Sequence, residues 1–252
     1  MSSTFEGQVA LVTGAGAGMG AAITKELAAR GAHVAAVDLS LETAERVAEA
    51  VRAAGGTALA IQADISDRAQ VAAMAQTVRE KLGPVRVLVN NAGILDDYAS
   101  VGDTSHELWD RIIGVNLTGP FNVTKALLDQ LLSHEDSAVV SVSSIAGAVA
   151  GGGGAAYTSS KHAILGFTRQ LAFDYGQKGL RANAVCPGAV ETEMTRDVLN
   201  SDLPVVDIVR SVPAGRHGQP EEIAKLVAFL ASTDAGFIHG APVMIDGGWT
   251  VR

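Results

Sequence analysis

Val9-Ala10-Leu11-Val12-Thr13-Gly14-Ala15-Gly16-Ala17-Gly18-Met19-Gly20-Ala21 is the stretch on which the fold turns. The apolar run 9–13 reads as a buried strand, the glycine/alanine stretch as a tight turn, and the Ala/Leu-rich residues up to Arg30-Gly31 as a helix that stops at glycine. Small residues at a strand-to-helix junction let an anion approach the open N–H groups at the helix start, where the helix dipole favours negative charge. Taken alone, such a turn also serves ordinary α/β packing.

The pattern repeats outward from this stretch. Strands are expected near 33–37, 58–62, 87–89, 138–142, 181–185 and 242–245. Helices are expected up to Gly55-Gly56 and over 68–82, 107–132, 155–175 and 221–231. Strands alternating with helices need right-handed crossovers and bury the strands from both sides. The expected fold is therefore α/β, a Rossmann-type doubly wound parallel sheet of about seven strands with helices on both faces. No Pro/Ser-rich linker or shift in composition interrupts the order, which predicts a single domain over 1–252. The longest irregular stretch, 188–219, exceeds ordinary connection lengths and reads as a substrate-binding loop or lid.

Composition narrows the class. Of 252 residues 48% are hydrophobic, which excludes a disordered chain. The 27 acidic against 19 basic residues give a formal charge of −8, unfavourable for nucleic acid or an anionic bilayer. Residues 137–160 carry no charge but contain Ser141, Ser143, Ser144 and the run Gly151 to Gly154, too polar and glycine-rich for a membrane span; they read as a strand, a flexible loop and a helix start. The first eight residues have no basic and apolar signal pattern, and Cys186 is the single cysteine, so a reducing cytoplasm is expected. The six histidines are scattered without metal-ligand spacing, and no metal is expected.

Asp38 ends the second expected strand, the position from which a carboxylate accepts hydrogen bonds from the ribose hydroxyls of an adenosine. Its charge would repel a 2′-phosphate, and no Arg or Lys lies between Thr13 and Met19 to attract one, so NAD is expected over NADP; Asp38 could also merely cap the following helix. Tyr157 and Lys161, four residues apart on an expected helix, share a face, and an ammonium beside a phenol lowers its pKa. Ser144 follows the preceding strand at the carboxyl edge, where open α/β sheets place ligands.

With these residues in place, the chain resembles the short-chain dehydrogenase/reductase family over nearly its whole length. Thr13-Gly14 with Gly18 and Gly20 match the family's glycine turn; Asp64 follows the third strand; Asn90-Asn91-Ala92-Gly93 and Asn116 match in order. Ser144, Tyr157 and Lys161 keep the family spacing, which selects Ser144 over Ser143, and 187–192 matches Pro-Gly-x-Val-x-Thr.

The resemblance implies that Tyr157 exchanges a proton with the substrate oxygen, Lys161 binds the nicotinamide ribose and depresses the tyrosine pKa, Ser144 polarises the carbonyl and Asn116 holds a relay water. It implies a cofactor site made of Gly14, Gly18, Met19, Gly20, Asp38, Leu39, Asp64, Ile65, Asn91, Ala92, Gly93, Pro187, Gly188, Val190 and Thr192, besides Tyr157 and Lys161.

The expected activity is NAD(H)-dependent hydride transfer between nicotinamide and a secondary alcohol or ketone, with Tyr157 as the acid/base. Alternatives are a 3-oxoacyl-thioester reductase, disfavoured by Asp38 and the acidic balance, and a silent nucleotide-binding scaffold, disfavoured by the intact Ser144, Tyr157, Lys161 and Asn116. Pocket walls are expected from 95–98, 146–153 and 193–212, with Leu95, Val149 and Met194 equally readable as packing residues. Cys186 reads as a buried small hydrophobe. The resemblance also implies a homotetramer that pairs the two long helices and the C-terminal strands, with Trp249 at a subunit contact.

Overall fold

The computed structural model describes residues 4–193, 195 and 211–251. Its centre is one seven-stranded, all-parallel sheet in the order β3-β2-β1-β4-β5-β6-β7. The strands are β1 (Val9–Thr13), β2 (His33–Asp38), β3 (Thr57–Gln62), β4 (Val85–Asn90), β5 (Ser137–Val142), β6 (Leu180–Pro187) and β7 (Pro242–Ile245). The order reverses between β1 and β4, and crossovers leaving to opposite sides open a crevice there at the carboxyl edge.

The helices are α1 (Gly18–Ala29), α2 (Leu41–Ala53), α3 (Arg68–Lys81), α4 (His106–Ile113), α5 (Gly119–Leu131), α6 (Ala155–Tyr175) and α7 (Pro220–Ala231). They cover both faces. On one, Ile23 and Leu27 of α1, Val51 of α2 and Val227 of α7 pack on Val12, Val34 and Val140. On the other, Met74 and Val78 of α3, Val123 and Leu127 of α5 and Leu171 of α6 pack on Leu11, Leu88 and Val139. The central strands β1, β5 and β6 are buried throughout, whereas the edge strands β3 and β7 alternate with exposed positions. Among the described residues no helix is long and apolar enough to cross a membrane.

Two particulars depart from the sequence reading. The helix expected over 107–132 is interrupted by a π-helical turn, Gly114–Thr118, between α4 and α5. Pro120 is the cause: it has no N–H for the Asn116 carbonyl, and its ring would clash with that oxygen in a regular helix. The wider turn, in which the Gly119 N–H reaches back to the Gly114 carbonyl, resolves both problems. The strands around the site also run longer than expected, β4 beginning at Val85 and β6 continuing to Pro187.

Candidate active site

Loops leaving β1, β4, β5 and β6 converge on a cleft of about 260 Å³ at the carboxyl edge. Its lining brings together Gly14, Gly18, Met19 and Gly20, then Asp38, Asn91, Ala92 and Gly93, and finally Tyr157, Lys161 and Thr192. A neighbouring cavity of about 480 Å³ shares Gly14, Asp38, Ala92 and Gly93 with it and adds Leu39, Asp64 and Ile65. The candidate site is thus one groove with two lobes.

The floor is the glycine turn. A Cβ at Gly20 would lie 1.9 Å from the Gly14 carbonyl oxygen, so only glycine lets α1 start this close to β1. Gly14 and Gly18 take positive φ, 62° and 49°, which bends the chain so that α1 aims its first turn at the groove. Ala17 caps α1 without a side-chain bond, which leaves the opening amides to the groove. Asn91 pins the turn to β4 by donating to the Thr13 and Gly14 carbonyls at 2.9 and 3.1 Å, while its buried Oδ1 has no partner among the described residues. Free helix-start amides and an unused acceptor in one groove fit a dinucleotide's pyrophosphate and polar groups.

Asp38 sits at the junction of the two lobes. Its carboxylate accepts from the Gly16 and Ser40 amides at 2.9 and 3.0 Å and from the Thr43 hydroxyl at 3.4 Å. It therefore shapes the glycine turn and the entry to α2, while Ser40 supplies the side-chain cap of α2 itself.

The wall opposite α1 carries Tyr157 and Lys161 on α6. Lys161 is buried, its Nζ 5.4 Å from the Tyr157 ring centroid and donating to the Val142 carbonyl at 3.0 Å. Ser143 donates to the Lys161 carbonyl at 2.9 Å and is spent on holding α6 to β5. That leaves the Ser144 hydroxyl as the one that hydrogen-bonds Tyr157, while it also accepts from the Ala146 amide. A Cβ at Gly153 would stand 2.4 Å from Tyr157 Cδ1. The run Gly151 to Gly154, expected as a flexible loop, is in part a site of close packing.

The electrostatics correct one expectation. Burial pushes the Tyr157 phenol up to about 12; the Ser144 hydrogen bond opposes this, and the charges of Tyr98 and Asp96 add to it. Any lowering by Lys161, whose ammonium stands over the ring and donates to the Val142 carbonyl, is outweighed by burial. Burial instead draws Lys161 down to about 8, against an opposing influence from Cys186, itself raised to about 11 by burial. At neutral pH the pair is a neutral phenol beside an ammonium.

Other expected residues stand behind the groove. Asn116 is buried in the π turn; its Oδ1 accepts from the Ile94 amide at 2.8 Å, and its Nδ2 donates to the Ile94 carbonyl and the Ser160 hydroxyl at 2.9 and 3.2 Å. Pro187 closes β6, Gly188 packs against Asp246, and buried Val190 pairs with Gly218. Met194 and residues 196–210, expected in the pocket wall and binding loop, lie outside the described residues.

Sequence reasoning missed Asp96. Fully buried, it accepts from the amides of Gly154 at 2.9 Å and Tyr157 at 2.8 Å, yet it belongs to a loop with no local pattern to mark it.

Comparison with known proteins adds the following. A family model described as Enoyl-(Acyl carrier protein) reductase matches residues 14–250. The chain is 41% identical to 2-(S)-hydroxypropyl-CoM dehydrogenase 3 of Xanthobacter autotrophicus, covering 99% of each. It is 36% identical to cyclohexanol dehydrogenase of an Acinetobacter species, over 100% of this chain and 98% of that protein. A solved double mutant of a Serratia marcescens short-chain dehydrogenase/reductase superposes with a TM-score of 0.91 at 36% identity, over 98% of this chain and 99% of that one.

Proposed function

The chain belongs to the short-chain dehydrogenase/reductase family of oxidoreductases, and on that premise we propose that it moves a hydride between NAD(H) and a secondary alcohol or ketone. The observation that carries this reading is one groove in which the open N-terminus of α1 faces Tyr157 and Lys161. When bound, the nicotinamide cofactor supplies or accepts the hydride.

The rest falls to the chain's own residues. The glycine turn and the free amides of α1 hold the diphosphate; Asp38 accepts from the ribose hydroxyls and disfavours a 2′-phosphate, with Asp64 and Ile65 toward the adenine. Tyr157, protonated at neutral pH, gives its proton to the forming alkoxide oxygen in the reducing direction and takes one back in oxidation. Ser144 donates to the same oxygen, adding stabilisation where charge develops. Lys161 keeps a positive charge beneath the ring and reaches toward the nicotinamide ribose. Both named relatives act on secondary alcohols by their names, which supports that substrate class.

The same proposal includes a cytoplasmic location and a homotetramer, the latter supported by apolar side chains left bare in two places. Trp109, Phe121 and Phe173 are exposed on α4, α5 and α6, and Phe229 and Met244 on α7 and β7.

A panel of secondary alcohols, ketones and 3-oxoacyl thioesters, each run with NAD(H) and NADP(H) and followed at the NADH absorbance band, tests the reading. Turnover of a simple alcohol or ketone with NAD(H) is expected. Turnover confined to thioesters with NADPH would replace it with the acyl-reductase alternative.

A further inference from the structure

We infer that Asp96 is a positioning residue for this reaction, its carboxylate clamping the first turn of α6, and Tyr157 with it, onto the loop that follows β4. The inference rests on the reading of Tyr157 as the proton-exchanging group.

The clamp is specific in its geometry. A helix starts with amides that have no partner inside it. At the start of α6 those amides are met by a loop 58 residues earlier in the chain: Gly154 N–H by Asp96 Oδ1 at 2.9 Å, Tyr157 N–H by Asp96 Oδ2 at 2.8 Å, and Ala155 N–H by the Ala99 carbonyl at 2.9 Å. One of the two carboxylate bonds holds the backbone of the reactive tyrosine itself. No nearer side chain competes, since the cap position is Gly154. Glycine is required there: a Cβ would lie 2.6 Å from Asp96 Oδ2 and 2.5 Å from the Ala99 carbonyl oxygen.

The loop is held tightly enough to store strain. Asp97 and Tyr98 are the two non-glycine residues with positive φ among those described, at 51° and 59°, directly between Asp96 and Ala99. A bulky residue in that region persists only when its surroundings over-determine it. The two anchors to α6 supply that constraint. Residues 95–98 are also the expected wall of the substrate pocket, so one carboxylate sets the substrate wall and the tyrosine in register. Displacing a reacting group by about 1 Å costs on the order of 100-fold in rate, a displacement that loss of such an anchor permits.

A purely stabilising cap would give the same hydrogen bonds, so the test reads the tyrosine. Tyr157 is faced by Ser144 from the turn after β5, by Tyr98 and Asp96 from the loop after β4, and by Lys161 from α6. Asp96→Asn keeps the shape but turns one acceptor into a donor against an N–H and removes a charge that raises the Tyr157 phenol. The expected result is an NADH dissociation constant within twofold of the parent, kcat lower by about 10- to 100-fold, and an alkaline midpoint of the alcohol-oxidation profile moved to lower pH. Asp96→Glu, which keeps the charge and lengthens the arm, should lower kcat without moving the midpoint.

For Asp96→Asn, a kcat within twofold of the parent overturns the inference, and so does a loss of kcat in that same variant with its midpoint unmoved. If Asp96→Asn does not fold, Gly154→Ala opens the clamp with the carboxylate in place. The inference then expects the same kcat loss at unchanged NADH affinity, and an unaffected kcat overturns it. Tyr157→Phe is run beside them. Retained turnover there refutes the acid/base reading; an inactive Tyr157→Phe beside an unaffected Asp96→Asn refutes only the clamp.

Discussion

Helices α1 and α6 both begin at the rim of the groove and treat their opening amides in opposite ways. At α1 no side chain among the described residues caps the first turn, and Gly18, Met19 and Gly20 line open space. At α6 the loop 96–99 takes the amides of Gly154, Ala155 and Tyr157. An open helix start suits an anion that comes and goes, because the protein leaves the donors free for it. A closed one suits a side chain that must not move. One motif of secondary structure thus serves binding at one end of the groove and placement at the other, and neighbouring residues decide which.

Substitutions at the open end should affect binding and leave placement alone, with the largest effect at Gly20. Gly20→Ala puts a methyl group 1.9 Å from the Gly14 carbonyl oxygen, and relieving that overlap must push α1 away from β1. We expect a destabilisation of about 3 kcal/mol, seen in urea unfolding, and an NADH affinity lower by more than about tenfold, seen by fluorescence titration. Unchanged affinity would mean that the turn does not carry the cofactor.

A smaller effect is expected at Asp38. Asp38→Ala removes the carboxylate from the ribose side but also frees the Gly16 amide, so NAD affinity should fall modestly. The ratio of kcat/KM for NAD over NADP should drop about tenfold, the scale of one charged hydrogen bond. A ratio that stays the same would leave Asp38 with only its structural bonds to Gly16, Ser40 and Thr43.

Much of this was legible in the sequence because it is local. The strand, glycine turn and helix at 9–30 follow from adjacent residue types, and so do the parallel sheet and the four-residue spacing of Tyr157 and Lys161. What escaped depends on partners distant in the chain. Asp96 meets α6 across 58 residues, and the tight fit of Gly153 and Gly154 appears only once the Tyr157 ring and Ala99 lie beside them. The π turn is a different case. Pro120 stood in plain view inside the helical pattern, and a proline four residues after Asn116 was reason to expect a break. The direction of the tyrosine shift was missed because a pairwise argument from Lys161 left out burial, the larger influence.

The central claim is that the Tyr157 hydroxyl exchanges the proton that accompanies hydride transfer. Its most direct test is the turnover of Tyr157→Phe, measured with the alcohol and NAD at saturation and accompanied by an NADH titration. The account predicts kcat lower by about 10²- to 10⁴-fold with NADH affinity unchanged. A Tyr157→Phe enzyme that keeps most of its kcat would contradict it.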